Sequence, residues 1–139
     1  MPKKDIYHEA VKRALQRDGW EITHDPFTLQ RNRKNLYADL GAERLISAEK
    51  GHQKIVVEIK SFVSKSDVKD LEQALGQYVL YQKLLEDFEP ERRLYLAVTT
   101  TVFNAVFEDG LGDILLAKHV LRVIVFHAEK EVITAWIPD

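Results

Sequence analysis

The sequence lacks the residues on which several classes of functional site depend. It contains no cysteine, which excludes disulfide frameworks, thiolate zinc sites and cysteine nucleophiles. No apolar run approaches the roughly 20 residues that a membrane-spanning helix needs, and the polar stretch from Met1 to Asp5 does not resemble a signal peptide. Glycine-rich phosphate loops, nucleophile elbows and dinucleotide fingerprints are also missing. We therefore expect a cytoplasmic protein without membrane association.

The chain also lacks a large excess of charge of one sign, since its formal net charge is −2. Residues 1–34 carry eight Lys and Arg against five Asp and Glu, whereas residues 35–139 carry twelve against seventeen. The basic cluster Arg31, Arg33 and Lys34 is a candidate for DNA contact, although a charge run of this size is more often solvated surface. The length of 139 residues and the 45% hydrophobic content predict one globular domain, residues 1–139.

Hydrophobic periodicity predicts alternating helices and strands. A first helix from about Asp5 to Asp18 has an apolar stripe at helical spacing, formed by Ile6, Tyr7, Ala10, Val11, Ala14 and Leu15. We then predict three strands that form a meander, with a loop at Arg31–Asn35 between the first two: Trp20–His24, Leu36–Ala48 and Ile55–Phe62. In the second of these strands, Leu36, Ala38, Leu40 and Ala42 are predicted to share one face.

The second half of the chain begins with a long helix, which Ser64 or Ser66 can cap and which ends near Phe88. Asp67 and Asp70 lie favourably in its first turn. The segments predicted after it are strand Leu94–Thr99, short helices between Val102 and His119, and a hairpin of strands Leu121–Phe126 and Val132–Ile137. The predicted class is α/β, with an αβββαβ core, a mixed central sheet flanked by helices, short C-terminal helices and a β-hairpin.

Three side chains carry the chemistry that we predict. Glu58 and Lys60 are two positions apart on a strand and so project from one face, and a hairpin could bring Asp39 beside Glu58. Two neighbouring carboxylates repel each other unless a cation lies between them, and hard oxygen ligands suit Mg²⁺ or Mn²⁺. The carbonyl of Ile59 could add a ligand, and Lys60 could orient or deprotonate the attacking water. The spacing predicts a metal-dependent phosphodiesterase site, but it also fits a charged pair on the solvent face of an edge strand.

The same acid-x-lysine spacing occurs in Asp67-Val68-Lys69, which serves as an internal comparison. That tripeptide opens the predicted long helix, where residues two apart point to different sides. It could not build a shared site, so we place the candidate chemistry on Glu58-Ile59-Lys60.

The order of elements, with an acid on the second strand and Glu-x-Lys on the third, resembles the PD-(D/E)xK nuclease superfamily. The segment Gln77–Tyr81 is similar to the Gln-x-x-x-Tyr element of its RecB-like members. In those members the glutamine positions the metal site or the substrate, which suggests this role for Gln77. Ala38 stands where the superfamily usually has proline before the first acid.

Nearly the whole chain is similar to the XisH family of fdxN-element excision controlling factors. The similarity lies in Lys12–Pro26, Asp39–Glu43, Val57–Phe62, Ala74–Tyr81 and Leu94–Val98. It implies a restriction-endonuclease-like fold, a role in programmed DNA rearrangement, DNA as a ligand and a small partner protein, XisI. The superfamily also suggests a homodimer, since cutting two strands needs two centres.

Several further residues are weaker candidates. Tyr81 shares a helix face with Gln77 but fits a core position as well, and Gln73 lies one turn earlier. Glu9 occupies the position of a metal-linked glutamate in resolvase-like relatives, yet it lies opposite the apolar stripe of its helix. Glu43 could support Lys60 or the metal, or be a surface charge. Of the five histidines, only His8 merits consideration as a site residue.

The leading hypothesis is an endonuclease-like protein that hydrolyses DNA with Mg²⁺. The alternative is a catalytically silent excision controlling factor that binds DNA or the XisI partner. A protein-interaction module with a charged, solubilising face is the third interpretation.

Overall fold

The protein is described by a computed structural model, which covers residues 4–48 and 51–138. Its helices and strands, in chain order, are α1 (His8–Arg17), β1 (Glu21–His24), β2 (Phe27–Arg31), β3 (Lys34–Ala38), β4 (Leu40–Ser47), β5 (Gly51–Ile59), α2 (Asp67–Phe88), β6 (Arg93–Thr99), α3 (Thr100–Val102), the π-helical segment Phe103–Glu108, α4 (Asp113–Ala117), β7 (Val123–His127) and β8 (Val132–Ile137).

A six-stranded sheet in the order β1-β4-β5-β6-β7-β8 lies between the helices. Strands β5, β6 and β7 are parallel to one another. Helix α2 connects β5 to β6, and the segment from α3 to α4 connects β6 to β7, so the chain returns to the same end of the sheet before each new strand. The remaining pairs are antiparallel. The predicted mixed α/β architecture and the C-terminal hairpin of β7 and β8 are thus confirmed.

Helix α2 begins and ends close to the predicted residues. The hydroxyl of Ser66 accepts a hydrogen bond from the backbone N–H of Lys69 at 3.2 Å, which caps the first turn. Its buried side follows a spacing of three and four residues and comprises Leu71, Ala74, Tyr78, Tyr81 and Leu85. Among the described residues, no helix is both long enough and apolar enough to cross a membrane.

The sheet has a hydrophobic core on each face. Side chains of β5 alternate between them, so that Ile55 and Val57 lie in the core under α1, while Val56 lies in the core under α2. Glu58 follows on the α2 side, as predicted from the strand periodicity. This alternation delivers its carboxylate to the edge of the α2-side core.

The predicted loop at Arg31–Asn35 is wrong, because this segment is the tip of a hairpin. Strands β2 and β3 pair from Phe27 opposite Ala38 to Arg31 opposite Lys34, and form a separate two-stranded sheet. The two turn residues between them have φ of 50° and 65°, as a tight two-residue hairpin turn requires. The hairpin packs against α2 through Phe27 and Leu29.

The prediction of one continuous strand at Leu36–Ala48 is also wrong. The chain bends at Asp39 and so leaves the hairpin for the main sheet. As a result, Ala38 lies in the α2-side core, whereas Leu40 and Ala42 lie in the core under α1. A single shared face for these residues would have required an unbroken strand. Strand β1 pairs directly with β4, so the meander of β1, β4 and β5 is correct apart from the inserted hairpin.

Helix α1 begins at His8 rather than at Asp5, because the Asp5 carboxylate accepts a hydrogen bond from the Tyr7 N–H and holds the chain in a turn. The side chain of Ile6 is therefore 70% exposed, which corrects its placement in the apolar stripe. His8 takes a buried position on that side instead.

Candidate functional site

The two predicted acids lie side by side where β4 begins and β5 ends. The Asp39 N–H donates to Glu58 Oε1 at 3.2 Å, and the Ile59 N–H donates to Asp39 Oδ2 at 2.7 Å. The register of the two strands, with Leu40 opposite Val57, imposes this arrangement. Each carboxylate is thus held by the backbone of the other strand.

Burial makes two negative charges costly at this position. Glu58 is only 9% exposed and the Asp39 side chain 18%. Loss of hydration, together with the charge of Asp39 and the hydrogen bond to its side chain, raises the pKa of Glu58 to about 10. At neutral pH this pair therefore holds a proton, or a cation in the place of that proton.

Lys60 extends from the end of β5 towards the first turns of α2. Its Nζ donates to Gln73 Oε1 at 2.7 Å and lies 3.8 Å from Asp70 Oδ1. Asp70 is itself buried, and its Oδ2 accepts the Ser64 N–H at 3.1 Å. The ammonium is fixed at the mouth of the site by these two side chains.

An open cavity of about 430 Å³ covers the carboxylates. Residues of the hairpin strand β3 line it together with Gln77 and Tyr81 of α2 and with Asp39, Glu58 and Lys60. The Tyr81 hydroxyl lies 3.5 Å from the Tyr37 carbonyl. Burial, assisted by the charges of Glu58 and Asp39, raises the pKa of Tyr81 to about 12, so its hydroxyl stays a donor. The structure thus brings Gln77 and Tyr81 to the cavity together with the acids and the lysine.

His8 lies behind Asp39 and was singled out in the sequence without a partner. Its side chain is 4% exposed, and its Nε2 lies 2.7 Å from Asp25 Oδ1. Nδ1 is buried, has no hydrogen-bond partner among the described residues, and lies 3.8 Å from Asp39 Oδ1. Asp25 is further bound by Lys12 Nζ at 2.8 Å. The ring of His8 is thus held between the carboxylates of Asp25 and Asp39.

Asp70 and His8 are the site residues that sequence reasoning missed or left unassigned. The sequence placed Asp70 only as a first-turn acid of α2, and no local pattern links it to Lys60. For His8 a signal was available, because a histidine in line with the apolar stripe of α1 is expected to be buried.

The donor set fits a divalent cation. Asp39 and Glu58 offer adjacent carboxylate oxygens, and the pKa of Glu58 is raised first by burial and then by the charge of Asp39, which a cation would offset. The buried Nδ1 of His8 lies 3.8 Å from Asp39 Oδ1, but the described residues whose ligand atoms come close enough to share one ion with His8 are Glu9 and Asp25, not the Asp39–Glu58 pair. Ile59 lines the same cavity.

Glu9 and Glu43 take up other contacts. The Glu9 carboxylate is half-exposed and lies 3.6 Å from Lys4 Nζ, although its oxygen is within 4.8 Å of ligand atoms of His8 and Asp25. Glu43 pairs with Arg92 at 3.4 Å and with Lys54 at 3.9 Å, several residues along β4 from Asp39. Neither residue lines the cavity over the two acids.

The basic cluster lies at the tip of the hairpin. Arg31 is the last residue of β2, Lys34 is the first residue of β3, Arg33 lies in the turn between them, and all three are exposed. Arg31 Nη1 is 2.6 Å from Asp87 Oδ2 on α2, which neutralises one of the three charges. The cluster is thus on the surface but outside the lining of the cavity.

The chain is similar to proteins of one family along nearly all of its length. The family model described as XisH protein matches residues 1–134. No curated protein matches the chain.

Two crystal structures are similar in both sequence and fold. An XisH family protein from Nostoc punctiforme PCC 73102 is 38% identical, with a TM-score of 0.85, over 96% of this chain and 99% of that chain. A fdxN element excision controlling factor protein from Anabaena variabilis is 40% identical, with a TM-score of 0.83 and the same coverage. The chain belongs to the XisH family.

Proposed function

We propose that the protein is an endonuclease-like DNA-processing factor that hydrolyses phosphodiester bonds with Mg²⁺ or Mn²⁺. The observation that carries the proposal is the contact of Asp39 with Glu58 in an open cavity that Lys60 also lines. Folding alone gives no reason to bury two adjacent acids, since an ionised pair at this depth destabilises the chain unless something is bound.

The residues would divide the chemistry as follows. Asp39 and Glu58 would hold the cation, with the carbonyl of Ile59 as a further donor, and a bound cation would supply an activated water and offset charge on the scissile phosphate. Lys60, held by Asp70 and Gln73, positions the water or the phosphate.

On α2, Gln77 and the neutral hydroxyl of Tyr81 offer hydrogen bonds to the substrate or its water. Strand β3 lines the same cavity, so a bound phosphate could be contacted by residues of both α2 and β3.

A restriction-endonuclease-like classification is supported by the placement of the acids on two adjacent antiparallel strands followed by a helix and a parallel strand. In that interpretation, β4 and β5 are the second and third strands of the αβββαβ core, and β2–β3 is an insertion. Tyr81, on the helix that follows Lys60, completes the Gln-x-x-x-Tyr similarity at the site.

The biological context that we propose is excision of a DNA element. The relative from Anabaena variabilis is called a fdxN element excision controlling factor, and the resemblance to that family adds XisI as a protein partner. The exposed Arg31, Arg33 and Lys34 are the candidate DNA contacts outside the cavity.

The test is cleavage of a panel of supercoiled and branched DNA by the purified protein, with Mg²⁺ or Mn²⁺ and with chelator. Lys60→Ala should abolish nicking, whereas Lys118→Ala, which removes an exposed lysine outside the cavity, should leave it unchanged. Calorimetric titration of Mg²⁺ and Mn²⁺ into the wild type and Glu58→Ala should give binding only to the wild type. If the wild type neither cleaves DNA nor binds either metal ion, the proposal is wrong.

One observation favours the alternative of a catalytically silent factor. Lys60 Nζ contacts Asp70 and Gln73 rather than the metal-binding acids, an arrangement that would also serve to attach the end of β5 to α2. If the wild type binds the cation and DNA but does not cut, and Lys60→Ala lowers only the stability of the fold, the silent factor is the correct assignment.

A further inference from the structure

The outer face of α2 is an unpartnered surface with a regular pattern. We define it by six exposed residues at alternating spacings of three and four: Lys69, Glu72, Gly76, Val79, Lys83 and Glu86. Residues with this spacing form a single seam along one side of a helix, the geometry by which two helices pack against each other. Leu80 lies next to the seam and is 50% exposed.

Gly76 lies at the middle of this seam, and the fold of the chain does not explain it. A Cβ at this position would meet no atom within 4 Å in the described part of the chain. Glycine in an exposed helix interior costs about 1 kcal/mol relative to alanine. The structural use of a missing side chain at an open position is close approach by a surface from outside the chain.

Two apolar side chains stand next to that depression. Val79 is 40% and Leu80 50% exposed, although both belong to a helix whose opposite side is fully packed. A neighbouring helix that presents Val79 or Leu80 over Gly76 would fill the depression and remove these side chains from water.

The order of charges selects the partner. If a second copy of α2 packs antiparallel, Lys69 faces Glu86, Glu72 faces Lys83, and Gly76 faces Val79, and each pair occurs twice. A parallel copy would place each charge opposite itself. Nucleic acid is disfavoured as an occupant, because the seam carries two lysines against two glutamates. Lys83 has a contact with Glu86 in its own helix at 3.4 Å, but that pair is exposed and readily exchanged.

We propose that the outer face of α2 is a homodimer interface, in which two copies pack their α2 helices antiparallel about Gly76. The two-fold axis is then perpendicular to the plane that contains the two helices. Gln73 and Gln77 lie on the flank of the seam, and rotation about this axis leaves that flank on the same side of the dimer in both copies. The two candidate sites therefore open towards one surface, as action on the two strands of one duplex requires. The interface itself does not depend on the proposed chemistry.

Sedimentation velocity over a concentration series tests the proposal with two charge reversals. Glu72→Lys sets two lysines against each other, and Lys83→Glu sets two glutamates against each other, at two symmetric contacts in each case. Each variant alone should raise the dissociation constant by about tenfold or more. Mixed in equal amounts, the two variants should form a dimer again. In a pair made of one copy of each variant, the lysines at positions 72 and 83 of one copy face the glutamates at positions 83 and 72 of the other.

A third variant tests the centre of the seam without risk to the fold. Gly76→Phe places a ring where the chain leaves open space and improves helix propensity, so its thermal unfolding should stay close to that of the wild type while the dimer is lost. Glu129→Lys, an exposed reversal away from α2, is the matched control and should dimerise normally. A wild type that stays monomeric at every concentration, or a mixture of the two reversals that stays monomeric, overturns the proposal.

Discussion

The buried carboxyl of Glu58 makes the stability of the fold depend on pH, and Glu58→Gln isolates that dependence. In the unfolded chain the group titrates near its ordinary pKa of 4.5, whereas burial and Asp39 raise its pKa in the folded protein to about 10. The folded state therefore keeps a proton that the unfolded state has already released. The free energy of unfolding falls as pH rises from about 4.5 and continues to fall until the folded group also ionises.

The magnitude follows from the width of that window. Each pKa unit corresponds to about 1.4 kcal/mol, so the interval from pH 4.5 to neutrality sets an upper limit of roughly 3–4 kcal/mol. Relaxation of the fold and entry of water around the ionised carboxylate lower the expected loss to about 2–3 kcal/mol. Glutamine imitates the protonated acid: its carbonyl can accept the Asp39 N–H, and its amide can donate to the Asp39 carboxylate.

Urea unfolding between pH 5 and pH 9, at fixed protein concentration and with chelator present, measures the effect. Glu58→Gln should come close to the wild type near pH 5 and exceed it by about 2–3 kcal/mol near pH 7, and the difference should widen further towards pH 9. Glu129→Gln, at an exposed position, should reproduce the slope of the wild type. Parallel stability curves for the wild type and Glu58→Gln would show that Glu58 ionises freely in the fold, and the reasoning about the buried pair would fail.

Two further predictions concern the cation and the core. Binding of Mn²⁺ or Mg²⁺ should release the proton of Glu58, so that calorimetric heats near pH 7 depend on the ionisation enthalpy of the buffer and the apparent affinity rises with pH. Glu58→Gln, which lacks a proposed ligand, should give no binding heat at any of these pH values. Tyr78→Phe should lower the free energy of unfolding by about 1–3 kcal/mol, since the buried hydroxyl donates to the Leu94 carbonyl and accepts the Arg122 N–H. Chemical denaturation measures this loss, and an unchanged midpoint would refute the role of the hydroxyl.

The elements that the sequence predicts best are those with strong local signals. Helix α2 has a capping serine and a long periodic stripe, and it lies where it was expected. The β-branched run correctly marks β5, but the strand extends over Gly51–Ile59 rather than the predicted Ile55–Phe62, so that Lys60 lies just after the strand and not on it. The hairpin β2–β3 lacks such signals. The alternation of its apolar residues, Phe27 and Leu29, is too short to indicate a strand, and its turn, Asn32-Arg33, contains no glycine.

In the candidate site, too, some contacts follow from local patterns and others do not. The juxtaposition of Asp39 with Glu58 follows from strand pairing and could be predicted, because alternation and a short connection constrain it. The contacts of Lys60 with Asp70 and of His8 with Asp25 could not, because they join residues 10 and 17 positions apart through the packing of separate elements. Such contacts depend on where a helix meets the sheet, which no single-sequence pattern encodes.

The way in which β2–β3 is inserted bears on how this fold can change over evolution. Strand β1 pairs directly with β4, although the hairpin β2–β3 lies between them in the chain. The hydrogen bonds of the six-stranded sheet are therefore continuous without the hairpin. The hairpin nevertheless supplies one side of the cleft through β3. A change of length or charge at the exposed turn Asn32-Arg33 could alter which molecules the proposed site admits while β4 and β5 keep their register. The base of the hairpin is not free to vary in this way, because Phe27 and Leu29 are part of the α2-side core.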